Sequence, residues 1–163
     1  RIAFVTGPLQ LRSALVRKEA FEESMREIGL EIAPEHIVEG DHTMEGGMKA
    51  LIKLAALHPR PTAILCSNDM TAIGVMREAY DYGISIPQEL SVVGFDDIRL
   101  SEFMIPPLTT IQMSQTEIAR LAFRALKNEV DREAPAPEGT EYILDTNLLL
   151  RKSTALAPSA RPK

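Results

Sequence analysis

Four short polar segments stand directly behind apolar runs. Gly7-Pro8 follows Ile2–Thr6, Asp41-His42 follows Ile37–Glu39, Ser67-Asn68-Asp69 follows Thr62–Cys66, and Asp96-Asp97 follows Ser91–Phe95. A carboxylate accepts hydrogen bonds, an amide donates and accepts, and a guanidinium donates in a fixed fork. That set suits vicinal hydroxyls. Arg17 supplies the fork. It lies four residues before Phe21 and eight before Met25, at the N-terminal end of an apolar helical stripe where an aliphatic residue is expected. A charge facing the core needs a partner. Spacing alone leaves two readings open, a ligand contact or a side chain that reaches outward or pairs with a structural carboxylate. Asn68-Asp69 and Asp96-Asp97 also have a plainer reading, as helix caps and turns.

Helix and strand signals alternate along the chain and would position these segments. Residues 2–6 read as a strand, 12–29 as an amphipathic helix closed by Gly29, and 37–39 as a short strand. A helix follows Thr43, with Met48, Leu51, Ile52 and Ala55 on one face, and ends at His58-Pro59-Arg60-Pro61. The unit repeats: an apolar strand to Cys66, a helix with Ala72, Ile73, Met76, Ala79 and Tyr80 stopped by Gly83, then the strand Ser91–Phe95. Short, wholly apolar strands between helices predict a three-layer, doubly wound α/β fold with a mainly parallel sheet. In such sheets ligands bind beyond the carboxyl ends of the strands, where the four polar segments fall. Ile105–Ile111 reads as stiff and extended. Ser114 and Glu117 form a capping box for a helix carrying Ile118, Leu121, Ala122, Ala125 and Leu126. A Pro-rich loop at 134–139 leads to a last strand, Tyr142 to Leu150, and 155–163 reads as a loose tail.

The 163 residues suffice for one domain with a core, and 45% hydrophobic with 25% charged residues is ordinary globular composition. No apolar run approaches the roughly 20 residues of a membrane span. A formal charge of −5 without a basic block argues against direct DNA binding by this segment. The single Cys66 has no intramolecular partner and reads as a small core residue, which fits a cytoplasmic protein. His36, His42 and His58 sit near element junctions, but no HExxH or CxxC spacing exists, so no metal is expected. Neither a GxSxG elbow, a GxxxxGK[ST] loop nor a GxGxxG turn is present, and an enzyme is not expected. A phosphoacceptor domain would place acids after the first strand, where Thr6-Gly7-Pro8 stands. The chain opens without methionine and directly on a strand, so the expectation is a piece of a longer protein with no signal peptide.

Taken in order, Arg1–Pro8, Pro61–Asp69, Ser91–Ile98, Pro106–Ile111 and Leu149–Thr154 resemble the lactose-repressor (LacI/GalR) family of bacterial transcription regulators. The resemblance runs over about residues 1–154. It implies an effector-binding domain similar to type I periplasmic sugar-binding proteins, with two lobes around a cleft. Residues 1–112 and 141–154 would form the lobe farther from DNA, and 113–140 a crossover into the other lobe. The DNA-binding head and most of the other lobe would lie outside this chain. Arg17, Asn68 and Asp96 match effector-contacting positions, and Ser13 and His42 match positions that contact ligand in some members. Ala20 stands where the family often has glycine. Ile73, Met76, Tyr80, Phe103 and Met104 match a homodimer surface; the plainer reading is that helix 70–82 faces its own sheet, as some of these residues must. The implied partners are a sugar-type effector, a second copy, and operator DNA through the separate head, with no cofactor and no membrane. The alternative is a transport-type sugar-binding protein, marked by a signal peptide. The crossover helix, cut from its usual neighbours, is expected to pack on a second copy, swap or refold, because each large apolar side chain left exposed forgoes roughly 1.5–3 kcal/mol.

Overall fold

The computed structural model describes residues 1–132 and 141–158; the Pro-rich stretch at 134–139 and the end of the tail lie outside them. Six strands form one sheet in the order β2-β1-β3-β4-β5-β6. They are β1 (Ile2–Thr6), β2 (Ile37–Glu39), β3 (Ala63–Cys66), β4 (Ser91–Asp96), β5 (Thr109–Met113) and β6 (Thr146–Leu149). The first five pair in parallel. Only β5 and β6 are antiparallel, with Met113 opposite Thr146 and Thr110 opposite Leu149. The mainly parallel α/β sheet expected from the sequence is therefore present. The last strand is shorter than expected, because residues 142–145 do not pair with a neighbouring strand.

The alternation of side chains along each strand separates two helical layers. On one face Ala3, Val5, Ile64, Cys66 and Val92 meet α2 (Met44–Ala55) and α3 (Asp69–Asp81), which pack on each other. On the other face Phe4 and Leu65 meet Phe21 and Met25 of α1 (Arg12–Glu27). The Phe4 and Phe21 rings stack with centroids 5.0 Å apart. Gly47 and Gly74 let α2 and α3 approach closely: a Cβ on Gly74 would sit 1.9 Å from the Met44 carbonyl oxygen. Cys66 is a buried free thiol, and burial pushes its ionisation far above the usual range, so it is an inert core residue.

Two elements were not read from the sequence, the short α4 (Arg99–Phe103) and a 3-10 turn at Pro34–His36. The capping-box helix forms as α5 (Gln115–Val130), with the Ser114 hydroxyl accepting from Glu117 N–H. Among the described residues none on α5 is buried, and Phe123, Leu126 and Val130 are exposed. No described helix is long and apolar enough to cross a membrane.

Candidate functional site

The chain passes from β1 to β2 on one side and from β2 back across to β3 on the other, so the order of connection reverses between β1 and β3. A crevice at the carboxyl ends of strands opens at such a reversal. Gly7 follows β1 and Ser67 follows β3, and Ser67 N–H donates to the Val5 carbonyl at 2.8 Å, keeping the two strand ends together. Three of the expected residues converge on Ser67. Arg17 Nη1 donates to its carbonyl at 2.6 Å, His42 Nε2 lies 3.1 Å from its hydroxyl, and Asn68 is its chain neighbour.

Arg17 satisfies its core-facing charge without a structural carboxylate. Its guanidinium carbon lies 3.8 Å from the centroid of the Phe95 ring, a cation–π stack. Burial pulls the guanidinium below its usual range, and the nearby Asp96 opposes that shift. The group stays charged, since an arginine is protonated throughout the accessible range.

Asn68 caps α3 and ties down His42 at once. Its Oδ1 accepts from Thr71 N–H at 2.9 Å at the start of α3, and its Nδ2 donates to the His42 carbonyl at 3.1 Å. Capping and site-building are thus one arrangement. His42 has a positive φ of 64° and packs its ring against Gly7, where an added Cβ would fall 1.9 Å from Nε2. Glycine at position 7 is needed for that contact. Desolvation first, then the charge of Arg17, lowers the His42 ionisation, with Asp96 and Asp41 opposing. His42 is therefore biased toward the neutral imidazole, able both to donate and to accept.

The acid pairs divide their work. Asp41 Oδ1 accepts from the backbone N–H and the hydroxyl of Thr43, and these bonds hold its carboxylate below the ordinary range. It organises the start of α2, where Thr43 caps Gly46. Asp97 binds Arg151 and Gln112. Asp69 is fully buried and accepts from Thr110 Oγ1 at 2.6 Å and from Ile98 N–H at 2.8 Å. Asp96 differs from all three: among the described residues its carboxylate receives no hydrogen bond. Desolvation raises its ionisation, with Arg17 and His42 opposing. Its φ of 112° and the φ of 53° at Asp97 place two consecutive non-glycine residues in the left-handed half of backbone space. Such residues cost about 1–3 kcal/mol each and collect at binding sites. Ser13 lies in the first turn of α1, one helical turn before Arg17 and exposed, and its side chain has no hydrogen bond among the described residues.

The expected dimer surface needs a correction. Ile73 and Met76 are each 5% exposed and belong to the core beneath α3. Tyr80 at 80% and Phe103 at 64% are open, with Ile105 at 95% beside them and Met104 partly covered. The helical stripe pointed inward because α3 packs against both the sheet and α2, which leaves only its rim outside.

Among the described residues no group of three or more His, Cys, Asp or Glu side chains is placed to hold a metal. Around one crevice stand a carboxylate without a hydrogen bond among the described residues, a stacked guanidinium, an amide and an imidazole biased toward its neutral form, a set of donors and acceptors suited to hydroxyls.

A family model described as a periplasmic binding protein-like domain matches residues 1–154. The chain is 34% identical over 158 residues to the HTH-type transcriptional repressor CytR of Escherichia coli (strain K12), which covers 97% of this chain and 46% of that protein. It is 38% identical over 130 residues to the ribose operon repressor of the same strain, covering 80% and 39%. Among solved structures, that of a transcriptional regulator CelR–cellobiose complex superposes with a TM-score of 0.81 at 26% identity, covering 94% of this chain and 46% of that one. The chain spans about half the length of the curated relatives it matches.

Proposed function

Because the chain belongs to the periplasmic binding protein-like domain family, in the form carried by lactose-repressor-type regulators, we propose that it is the effector-sensing part of a bacterial transcription regulator. The effector is a sugar or sugar derivative. Asp96 accepts from adjacent hydroxyls, Arg17 donates to a ring or hydroxyl oxygen, and Asn68 and His42 fix the ligand's orientation, with Ser13 at the rim. The observation that carries this reading is the Asp96 carboxylate, left without a hydrogen bond beside a half-buried arginine that is already stacked and aimed. The CelR structure that resembles this chain holds cellobiose.

No bond is made or broken in this role. A ligand that prefers one arrangement of the protein shifts the population toward it, and affinity elsewhere changes by the same coupling free energy. Operator DNA is read in the cytoplasm by a separate domain of the longer protein. Helix α5 belongs to the second lobe, which would cover its Ile118, Phe123, Leu126 and Val130 side chains. Tyr80, Phe103 and Ile105 form the exposed part of a homodimer contact.

Calorimetry with a panel of pentoses, hexoses, disaccharides, nucleosides and purines tests the reading. One saturable heat for a hydroxyl-rich ligand, lost in Asp96→Ala while the fold is retained, is expected. Binding that survives Asp96→Ala unchanged, or no binding to any panel member, overturns it.

A further inference from the structure

Asp97 stands next to Asp96 but faces a different set of partners. Its Oδ1 accepts from Arg151 Nη2 at 2.7 Å, and its Oδ2 accepts from Gln112 Nε2 at 2.7 Å. Arg151 spans further: its Nη1 donates to Ser101 Oγ at 2.9 Å and to the Leu108 carbonyl at 3.0 Å. The Asp97–Arg151 pair is well sheltered from solvent, so it is screened less than a surface pair. The places of these partners in the chain matter. Gln112 is the second-last residue of β5, immediately before the chain leaves the sheet for α5, and Arg151 comes just after β6, where the chain has returned. One carboxylate therefore holds both crossings that connect this lobe to α5.

The same carboxylate sits in the turn that presents Asp96. Asp96 and Asp97 both have positive φ, a conformation that aspartate keeps only where its surroundings hold it there. Three ties do so. Asp69 takes the Ile98 N–H on the far side of the turn, and Gln112 and Arg151 take the Asp97 side chain.

We propose that Asp97 is a positioning residue that fixes the ligand-facing Asp96 turn and couples it, through Gln112 and Arg151, to the two strands leading to and from α5. This rests on the reading of Asp96 as a ligand contact. A ligand that draws on the Asp96 carboxylate changes which turn conformation is favoured. The Asp97 carboxylate moves with the turn, and β5 and β6 receive the change at the point where they leave the lobe. Reciprocally, displacement of α5 reaches Asp96 by the same two ties.

Hydrogen exchange read by mass spectrometry on the chain tests this, using Arg151→Met and Gln112→Leu, with Leu54→Ala as a control that destabilises the core away from the turn. Gln112→Leu removes no charge and keeps the test available if Arg151→Met fails to fold. In each clamp variant, amides of residues 96–101 and of 110–116 are expected to exchange tenfold or more faster, with β1 and α2 within twofold of wild type. Leu54→Ala should instead accelerate exchange around α2 and α3. If the clamp variants affect only residues beside the substitution, or reproduce the Leu54→Ala pattern, the proposal fails. A parallel D-ribose titration separates it from the reading beneath it. Exchange coupling without binding by ribose or any other panel member overturns the ligand role of Asp96 and leaves the joint standing. Saturable, Asp96-dependent binding without exchange coupling overturns the joint alone.

Discussion

Replacing Asp69 tests how the buried acid at the start of α3 supports the site. Its carboxylate accepts from Ile98 N–H and Thr110 Oγ1 inside the protein. Asp69→Ala leaves both donors unpaired, at about 1–3 kcal/mol each. It also removes a first-turn charge that is worth about 0.3–1 kcal/mol at a helix N-terminus. A total loss of about 2–7 kcal/mol follows. Asp69→Asn keeps an oxygen for Ile98, and its amide can donate to Thr110 Oγ1 once that hydroxyl turns its own proton away. It gives up the helix-end charge but also the cost of a desolvated carboxylate. Its net effect near neutrality is within about 1 kcal/mol.

The pH dependence sharpens the comparison. Desolvation raises the Asp69 ionisation, with the Thr110 and Ile98 hydrogen bonds opposing. The folded protein therefore binds a proton where the unfolded chain has already released it. This contribution to stability is fully present below the unfolded aspartate value, near pH 4, and is lost as pH rises through the raised folded value. Urea melts of wild type, Asp69→Asn and Asp69→Ala across this range should show the asparagine variant gaining on wild type as pH rises, with the alanine variant well below both. An asparagine variant as damaged as alanine, or one that loses ground to wild type with rising pH, would refute the reasoning.

Three further outcomes are expected. Gly74→Ala gains roughly 1 kcal/mol of helix propensity but drives a Cβ to 1.9 Å from the Met44 carbonyl. Overpacking costs about 1–3 kcal/mol or more, so thermal melting should show a net fall in Tm of a few degrees. Arg17→Met should keep the contact with Phe95 and most of the stability but abolish the calorimetric signal of any panel ligand; retained binding would remove Arg17 from the site. Lysine at both Tyr80 and Phe103 should convert a dimer to a folded monomer by light scattering, and an unchanged dimer would place the interface elsewhere.

The sheet and the crevice that forms the candidate site were legible because strand termini, caps and apolar runs are local signals. Asn68, Thr43 and Ser114 cap as their spacing implies, and the polar segments fall at strand ends. The division of labour within Asp96-Asp97 was not legible. The two residues are the same type in adjacent places, and what separates them is Gln112 and Arg151, 15 and 54 residues away in the chain. The Arg17 partner was hidden for the same reason: a backbone carbonyl and an aromatic face leave no charge pattern in the sequence. Spacing left open which of Ile73, Met76 and Tyr80 face the sheet, and Ile73 and Met76 do, because a helix pressed between a sheet and another helix buries more than one stripe.

The excursion through α5 begins and ends at one place, since Met113 and Thr146 are direct partners across the β5–β6 ladder. In topological terms, residues 114–145 are an insertion in a β-hairpin. A two-residue Asn-Gly turn joining Met113 to Thr146 would close that hairpin directly, because short turns of this type link antiparallel neighbours. The six-stranded sheet, its two helical layers and the crevice between β1 and β3 need nothing from the inserted segment to complete their hydrogen-bond ladder. The sheet with its two helical layers is thus a self-contained module, and the segment inserted between β5 and β6 can vary in length and sequence without disturbing the register of the sheet.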